Sequence, residues 1–217
     1  MTTRNKVKVG FFSFTEVTDP NEHRSYNEWH QLDHMPEQFP LRGIAYGQRW
    51  VSTPACRAAR AVSGARLDPI HYVTLYLMTE PVDETLREFF ALGKELHEKD
   101  RFHHHRKAHL SGPFPLVATA VAPRVLISAE AVPYRPHRGI YVAVQGATSD
   151  AASIEAAVTI SGVAGAWAFA DDERRITVLW CDEDVLDVAA RVGPIEGAEF
   201  AGPFETVTPW QWDWFDQ

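Results

Sequence analysis

The residues most able to do chemistry are crowded into SYNEWHQLDHMPEQ, Ser25 to Gln38, where Tyr26, Trp29, His30, Asp33, His34 and Glu37 fall within about three helical turns. HQLDH has the spacing with which two imidazoles on one helix face share a metal ion, with Asp33, Glu37 or the distant His103 to His105 run as a third ligand. The zinc-protease signature carries a Glu where this chain has Gln31, and an amide exchanges no proton near neutral pH, so zinc-protease chemistry is not expected. Without a metal the same residues suit proton transfer, because an imidazole titrates near neutrality and a neighbouring carboxylate fixes its tautomer.

His34 is the candidate acid or base, just before Pro36, which distorts the helix end. Asp33 or Glu37 is the candidate orienting carboxylate. Arg49, on the following strand, is placed to stabilise an enolate, phenolate or carboxylate, with Tyr72 as a second candidate. Tyr26, Trp29 and His30 would form the wall; Tyr72 and Tyr76 share strand parity and either line the same cavity or pack under the helices. At 100° per residue Tyr26, Trp29, His30, Asp33 and Glu37 form one stripe with His34 beside it, while Asn27, Gln31 and Gln38 point elsewhere. The competing reading is a structural helix of packed, hydrogen-bonded side chains. So many polar groups where a sheet-packing helix would show Leu, Val or Ala favours a wet pocket.

The elements that must position these residues follow from periodicity. VKVGFFSF (Val7–Phe14) is a strand; Glu22–Gln38 is a helix; IAYGQRWVS (Ile44–Ser52) and IHYVTLYLM (Ile70–Met78) are strands. A helix over Asp83–Phe102 and a strand over Pro115–Pro123 complete the half. The second half repeats the order: strand Gly139–Ala147, helix Ser149–Ser161, strands Val163–Ala170 and Arg174–Cys181, helix Glu183–Gly193, and a closing strand Pro203–Trp210. LRGIA (Leu41–Ala45) resembles ISGVA (Ile160–Ala164), and SGPF (Ser111–Phe114) resembles AGPF (Ala201–Phe204), which supports an internal duplication. Residues 1–125 form the first repeat, carrying the pocket, and 137–217 the shorter second one. The counterpart helix of the second repeat is Ala-rich and bland, so one functional site per chain is expected.

Strand-helix-strand-strand-helix-strand is the split β-α-β order of ferredoxin-like folds. Each such sheet is covered by helices on one face only, and two in one chain can pack their open faces into a barrel. The stretch YNEWHQLDHMPEQFPLRGIAYGQRW resembles the pattern of EthD-like dimeric α+β barrel proteins, with an Asn or Asp, a Trp, a His and a Pro on the first helix, then a turn and an Arg-bearing strand. The resemblance implies an α+β fold of two ferredoxin-like βαββαβ repeats fused into one barrel. It also implies a pocket for a small organic molecule between sheet and helices, and cofactor-independent chemistry on an aromatic or polyketide-like compound: a cyclase, decarboxylase, dehydratase or oxygenase. A non-catalytic binding or assembly protein is the rival. Haem enzymes among two-repeat barrels use a His of the second repeat, whereas the last His here is His137, so no haem or other cofactor is expected.

Composition agrees with a small-molecule partner. The 217 residues are 45% hydrophobic and 12% aromatic, enough for a substantial core. A formal net charge of −8 argues against nucleic acid. No apolar run reaches bilayer length and the N-terminus has no signal-peptide core, so a cytoplasmic protein without membrane contact is expected. Cys56 and Cys181 form no CxxC pair and are read as free thiols. DRFHHHRKAH (Asp100–His109) reads as a solvated cationic helix end, with an anion or adventitious metal site as the sharper alternative. Trp210, Trp212 and Trp214 alternate at strand spacing, for internal packing or a homodimer contact.

Overall fold

A computed structural model describes residues 6–147 and 154–216. The first half contains β1 (Val7–Val17), α1 (His23–Trp29), β2 (Ile44–Val51), α2 (Pro54–Ala58), the short β3 (Val62–Ser63), β4 (Tyr72–Thr79), α3 (Val82–Glu98) and β5 (Arg106–Val121). The second contains β6 (Gly139–Gly146), α4 (Ile154–Ala157), β7 (Val163–Ala170), β8 (Arg174–Cys181), α5 (Val185–Val192) and β9 (Ala198–Thr206). The strands run in the order β2-β4-β1-β5-β7-β8-β6-β9, and β9 returns to β2 through Trp50 opposite Thr206. Eight strands thus close an antiparallel barrel, with β3 added outside on β9. Each half has the strand order of a ferredoxin-like sheet, and the two halves join at β5–β7 and at β2–β9.

Strand alternation decides which side chains fill the barrel and which meet the helices. Phe12, Phe14, Trp50, Val73, Leu75, Trp167, Phe169, Trp180, Phe200 and Phe204 belong to one buried cluster that fills the interior. An eight-stranded barrel is just wide enough for side chains to fill, and edge-on aromatic pairs such as Phe12 with Phe169 (5.1 Å) and Trp167 with Trp180 (5.5 Å) do so. The opposite parity, Phe11, Ser13, Tyr72, Thr74, Tyr76 and Arg49, lies under the helices of the first half.

Gly43 and Gly162 occupy equivalent turns, each just ahead of the second strand of its half. A Cβ on Gly43 would strike Thr85 of α3, and one on Gly162 (φ +85) would strike Val188 of α5 at 2.6 Å. LRGIA and ISGVA therefore mark the same close approach of a turn to the second helix.

Several expected boundaries move. The first helix is four pieces: a 3-10 turn Pro20–Glu22, α1, a π turn His30–His34 and a 3-10 turn Pro36–Gln38. The helix expected over Asp83–Phe102 ends at Glu98 in a Schellman cap: Asp100 takes φ +55, its N–H donates to His97 O, and Arg101 N–H donates to Leu96 O. The strand expected from Pro115 begins at Arg106, because Arg106, Lys107 and Ala108 pair with Val17, Glu16 and Thr15 of β1. The helix expected over Ser149–Ser161 is described only as Ile154–Ala157, residues 149–153 lying outside the described residues. The last strand ends at Thr206, so the tryptophans of the tail do not share a strand face: Trp212 is buried, Trp214 is partly buried against the cluster of Val17, Tyr26, Val51, Tyr72 and Val207, and Trp210 is 73% exposed. Cys56 and Cys181 are buried free thiols.

Candidate functional site

The π turn sets the geometry. Pro36 has no N–H to continue the α pattern, and Met35 N–H reaches back five residues to His30 O at 2.9 Å. The turn is one residue wider than an α turn, so positions i and i+4 come nearly into line. His30 and His34 accordingly meet edge to face, with ring centroids 5.2 Å apart. Both line a cleft of about 320 Å³ between the π turn, α3 and the outer face of β1, β4 and β5. Phe11, Phe89, Phe90 and Phe102 form its apolar wall; Ser13, Thr74, Tyr76, Gln38 and Arg106 supply polar groups.

His34 is gripped by aromatics: Trp29 stacks on it at 4.7 Å and Phe102 lies at 5.1 Å. Trp29 is itself fixed by Nε1–H donating to Arg101 O at 2.7 Å, a carbonyl placed by the Schellman cap of α3. Burial, then the charge of Arg106, pushes the His34 imidazole down to about 4, so it is neutral at physiological pH. Burial also pushes His30 well down; its Nε2 lies 3.5 Å from Thr74 Oγ1. Nδ1 of each imidazole is buried without a partner, as are Tyr76 OH and Gln38 Oε1. Buried polar groups are normally paired, and this concentration of unmet ones around one turn marks a place where water or a ligand completes the bonding.

The other expected site residues lie elsewhere. Asp33 and Glu37 turn outward, where both accept from Arg101 Nη2 at 2.8 Å, and neither bonds an imidazole. Tyr26 is fully buried behind the π turn, its ring 5.0 Å from that of Tyr72. Tyr72 OH is held by Asn27 Nδ2 (2.8 Å) and lies 3.0 Å from His23 Nδ1, which places it in the support rather than the cleft. Arg49 sits among these groups, 2% exposed: Nη2 donates to Asn27 Oδ1 at 3.0 Å, the guanidinium faces the Tyr26 and Tyr72 rings, and Nε and Nη1 are unpartnered. Of the expected residues, the structure brings His30, His34 and Tyr76 to the cleft.

The comparisons with known proteins bear on the fold. An anthrone oxidase-like protein superposes with a TM-score of 0.50 at 10% identity, over 94% of this chain and 93% of its own. A chlorite dismutase-like protein gives 0.48 at 9% identity, over 97% and 98%. A monooxygenase-like protein from Lactobacillus acidophilus NCFM gives 0.41 at 10% identity, over 92% and 95%. No protein-family profile and no curated protein sequence matches the chain. At 10% identity the likeness to the anthrone oxidase-like protein shows a shared fold alone.

Two ligand sets can be tested on the side chains. Among the described residues no group of three His, Cys, Asp or Glu is placed to hold a metal, and His30 and His34 lack a third ligand because Asp33 and Glu37 are turned to Arg101. The matching groove of the second half is lined by Tyr141, Gln145, Leu179, Val192 and Ile195 among others; among the described residues it offers no imidazole, thiolate or thioether for a haem iron, and the Tyr141 hydroxyl donates to Gly193 O at 3.0 Å. His137 is engaged elsewhere: Nε2 accepts from Trp50 Nε1 at 3.0 Å, and Nδ1 lies 2.9 Å from Arg135 O.

Sequence reasoning missed Arg106, Gln38 and Phe102. Arg106 lay in the stretch read as a solvated helix end, and its one signal was the run RKAHL, Arg106 to Leu110, that leads into SGPF without a turn residue. Gln38 was assigned to the wrong face because an α period was carried through a π turn.

Proposed function

We propose that this chain is a small-molecule enzyme of the α+β barrel type, acting on an aromatic or polyketide-like compound at the cleft beneath the π turn. The observation that carries the reading is His34: a neutral imidazole held between Trp29 and Phe102, lining a phenylalanine-walled cleft with a guanidinium, Arg106, on the same wall. A neutral imidazole accepts a proton from a carbon acid or phenol. Arg106 and the buried Arg49 favour the anion left behind, and Tyr76 OH can donate to it. Once the substrate is anionic, the imidazolium formed at His34 is paired, which offsets the burial that otherwise keeps it neutral. Such a step is the start of dehydration, ring closure, decarboxylation or reaction with oxygen; the EthD-like motif and the anthrone oxidase-like fold neighbour both suit substrates of this class.

A ligand-binding protein without turnover is the second reading. The low pKa of His34 favours it, since a base near 4 is weaker than one tuned to the working pH. Incubation with a panel of anthrone-type and hydroxylated polycyclic compounds, followed by absorbance and mass, separates the two. The expected result is conversion of a panel member by the natural chain and a loss of about 10²- to 10⁴-fold in His34→Gln at unchanged melting temperature. Equal rates in both proteins would remove the catalytic reading.

A further inference from the structure

The cleft carries a charge opposite in sign to that of the chain as a whole. The protein carries a formal net charge of −8, yet the side chains lining this cleft include two cations, Lys94 and Arg106, and no carboxylate. Lys94 lies 3.7 Å from Glu98 on the exposed side of α3. Arg106 has no ion pair among the described residues: Nη2 donates to Ser13 Oγ at 3.2 Å, and the guanidinium lies 5.7 Å from the Phe102 ring. Ser111, opposite Ser13 in the β1–β5 register, lines the same wall. Behind the π turn, Arg49 is a second guanidinium without a carboxylate, 2% exposed and with Nε and Nη1 unpartnered.

A guanidinium withdrawn from water without an acid, as Arg49 is, is costly, and the half-buried Arg106 adds a second unpaired charge on the other side of the same turn. The two histidines between them are neutral and offset nothing. An anion in the cleft would answer the charge. The bond to Ser13 takes one of the two Nη2 hydrogens of Arg106; the other, paired with the N–H of Nε or of Nη1, forms a planar fork that matches a carboxylate.

We infer that the cleft takes an organic anion, an aromatic carboxylate whose carboxyl group meets Arg106 beside Ser13 and Ser111 while its rings lie among Phe11, Phe89, Phe90 and Phe102. The inference rests on the proposed function only in taking this cleft as the substrate site. It makes Arg106 the residue that selects acids over neutral compounds of the same shape.

Calorimetric titration of the full chain with 2-naphthoate and with its neutral counterpart 2-naphthamide tests it. The acid binds at least about tenfold more tightly than the amide, and the gap narrows as salt is raised. Arg106→Met removes the gap and leaves the amide affinity within about twofold. If that variant does not fold, Arg106→Lys carries the test, keeping a charge but losing the fork, so that the gap shrinks without vanishing. Equal affinity for the two probes, no binding of either at millimolar concentration, a gap that survives in Arg106→Met, or one unchanged in Arg106→Lys overturns the inference. Turnover is not read in this titration. A clear gap in a chain that converts no compound keeps the inference and sinks the enzyme, whereas conversion lost in His34→Gln with equal probe affinities does the reverse.

Discussion

At the scale of single residues, what distinguishes His34 is the company it keeps. Trp29 stacks on one side, Phe102 closes another, and no carboxylate bonds the ring, so burial sets its basicity. Asp33 was the natural orienting partner by sequence adjacency, but neighbours along a helix point about 100° apart, and the Arg101 guanidinium draws Asp33 and Glu37 together on the outer face. Asp33→Asn should therefore change ligand affinity and turnover by no more than about fivefold, the scale of one exposed ion pair. A loss approaching that of His34→Gln, measured as kcat/KM, would return Asp33 to the site.

At the scale of elements, the π turn and the Schellman cap of α3 do the positioning together. The extra residue in His30–His34 aligns the two imidazoles over the sheet, and the cap delivers Arg101 O to Trp29 and Phe102 to His34. Leu32 lies within the π turn and is 53% exposed, so its removal takes away little packing. Deleting Leu32 should let the segment close as an α-helix, keep the far-ultraviolet circular dichroism, and swing His34 away from His30, with loss of 2-naphthoate binding. Retained binding in a folded deletion variant would show that the wider turn is dispensable. The order of strands and helices was legible in the sequence because hydrophobic alternation and helical spacing are local signals. The π turn was not, since a helix read at one period gives no sign of an added residue, and Pro36 pointed only to a distortion at the helix end.

At the scale of the molecule, the fold holds several imidazoles in neutral form. Burial takes His23 and His34 to about 4 and His71 to about 3, and His71 Nδ1 accepts from Val17 N–H, a bond that protonation would end. The folded pKa values lie below the ordinary 6.5, so as pH falls the unfolded chain takes up protons first. The stability these groups leave intact above about pH 6.5 is lost as pH drops toward 4, by up to about 1.4 kcal/mol per pH unit for each group, less for the partly exposed His34 and His71. The melting temperature should accordingly fall steadily between pH 7 and pH 4.5, with a shallower slope in His34→Gln. A flat profile would show that the charged rings are accommodated. In the barrel interior Phe12, Phe14, Trp167 and Phe169 are fully buried, and Phe12→Ala should cost about 3–5 kcal/mol in urea unfolding, a value near zero being the contrary result.

The sequence by itself determined the α+β class, the two-fold order of elements and the segment that carries the histidines, because each is written in spacings of a few residues. The likeness of LRGIA to ISGVA told where a turn must pass close to a helix, since only glycine leaves room for it there. What only the tertiary structure decided is which polar side chains share a space. Arg106 comes from a strand 72 positions beyond His34, Phe102 from the end of a helix cap, and Asp33 is drawn off by Arg101, all through contacts between segments far apart in the chain. Those contacts depend on barrel closure and on one added residue in a helical turn, and no local pattern of residue types encodes either.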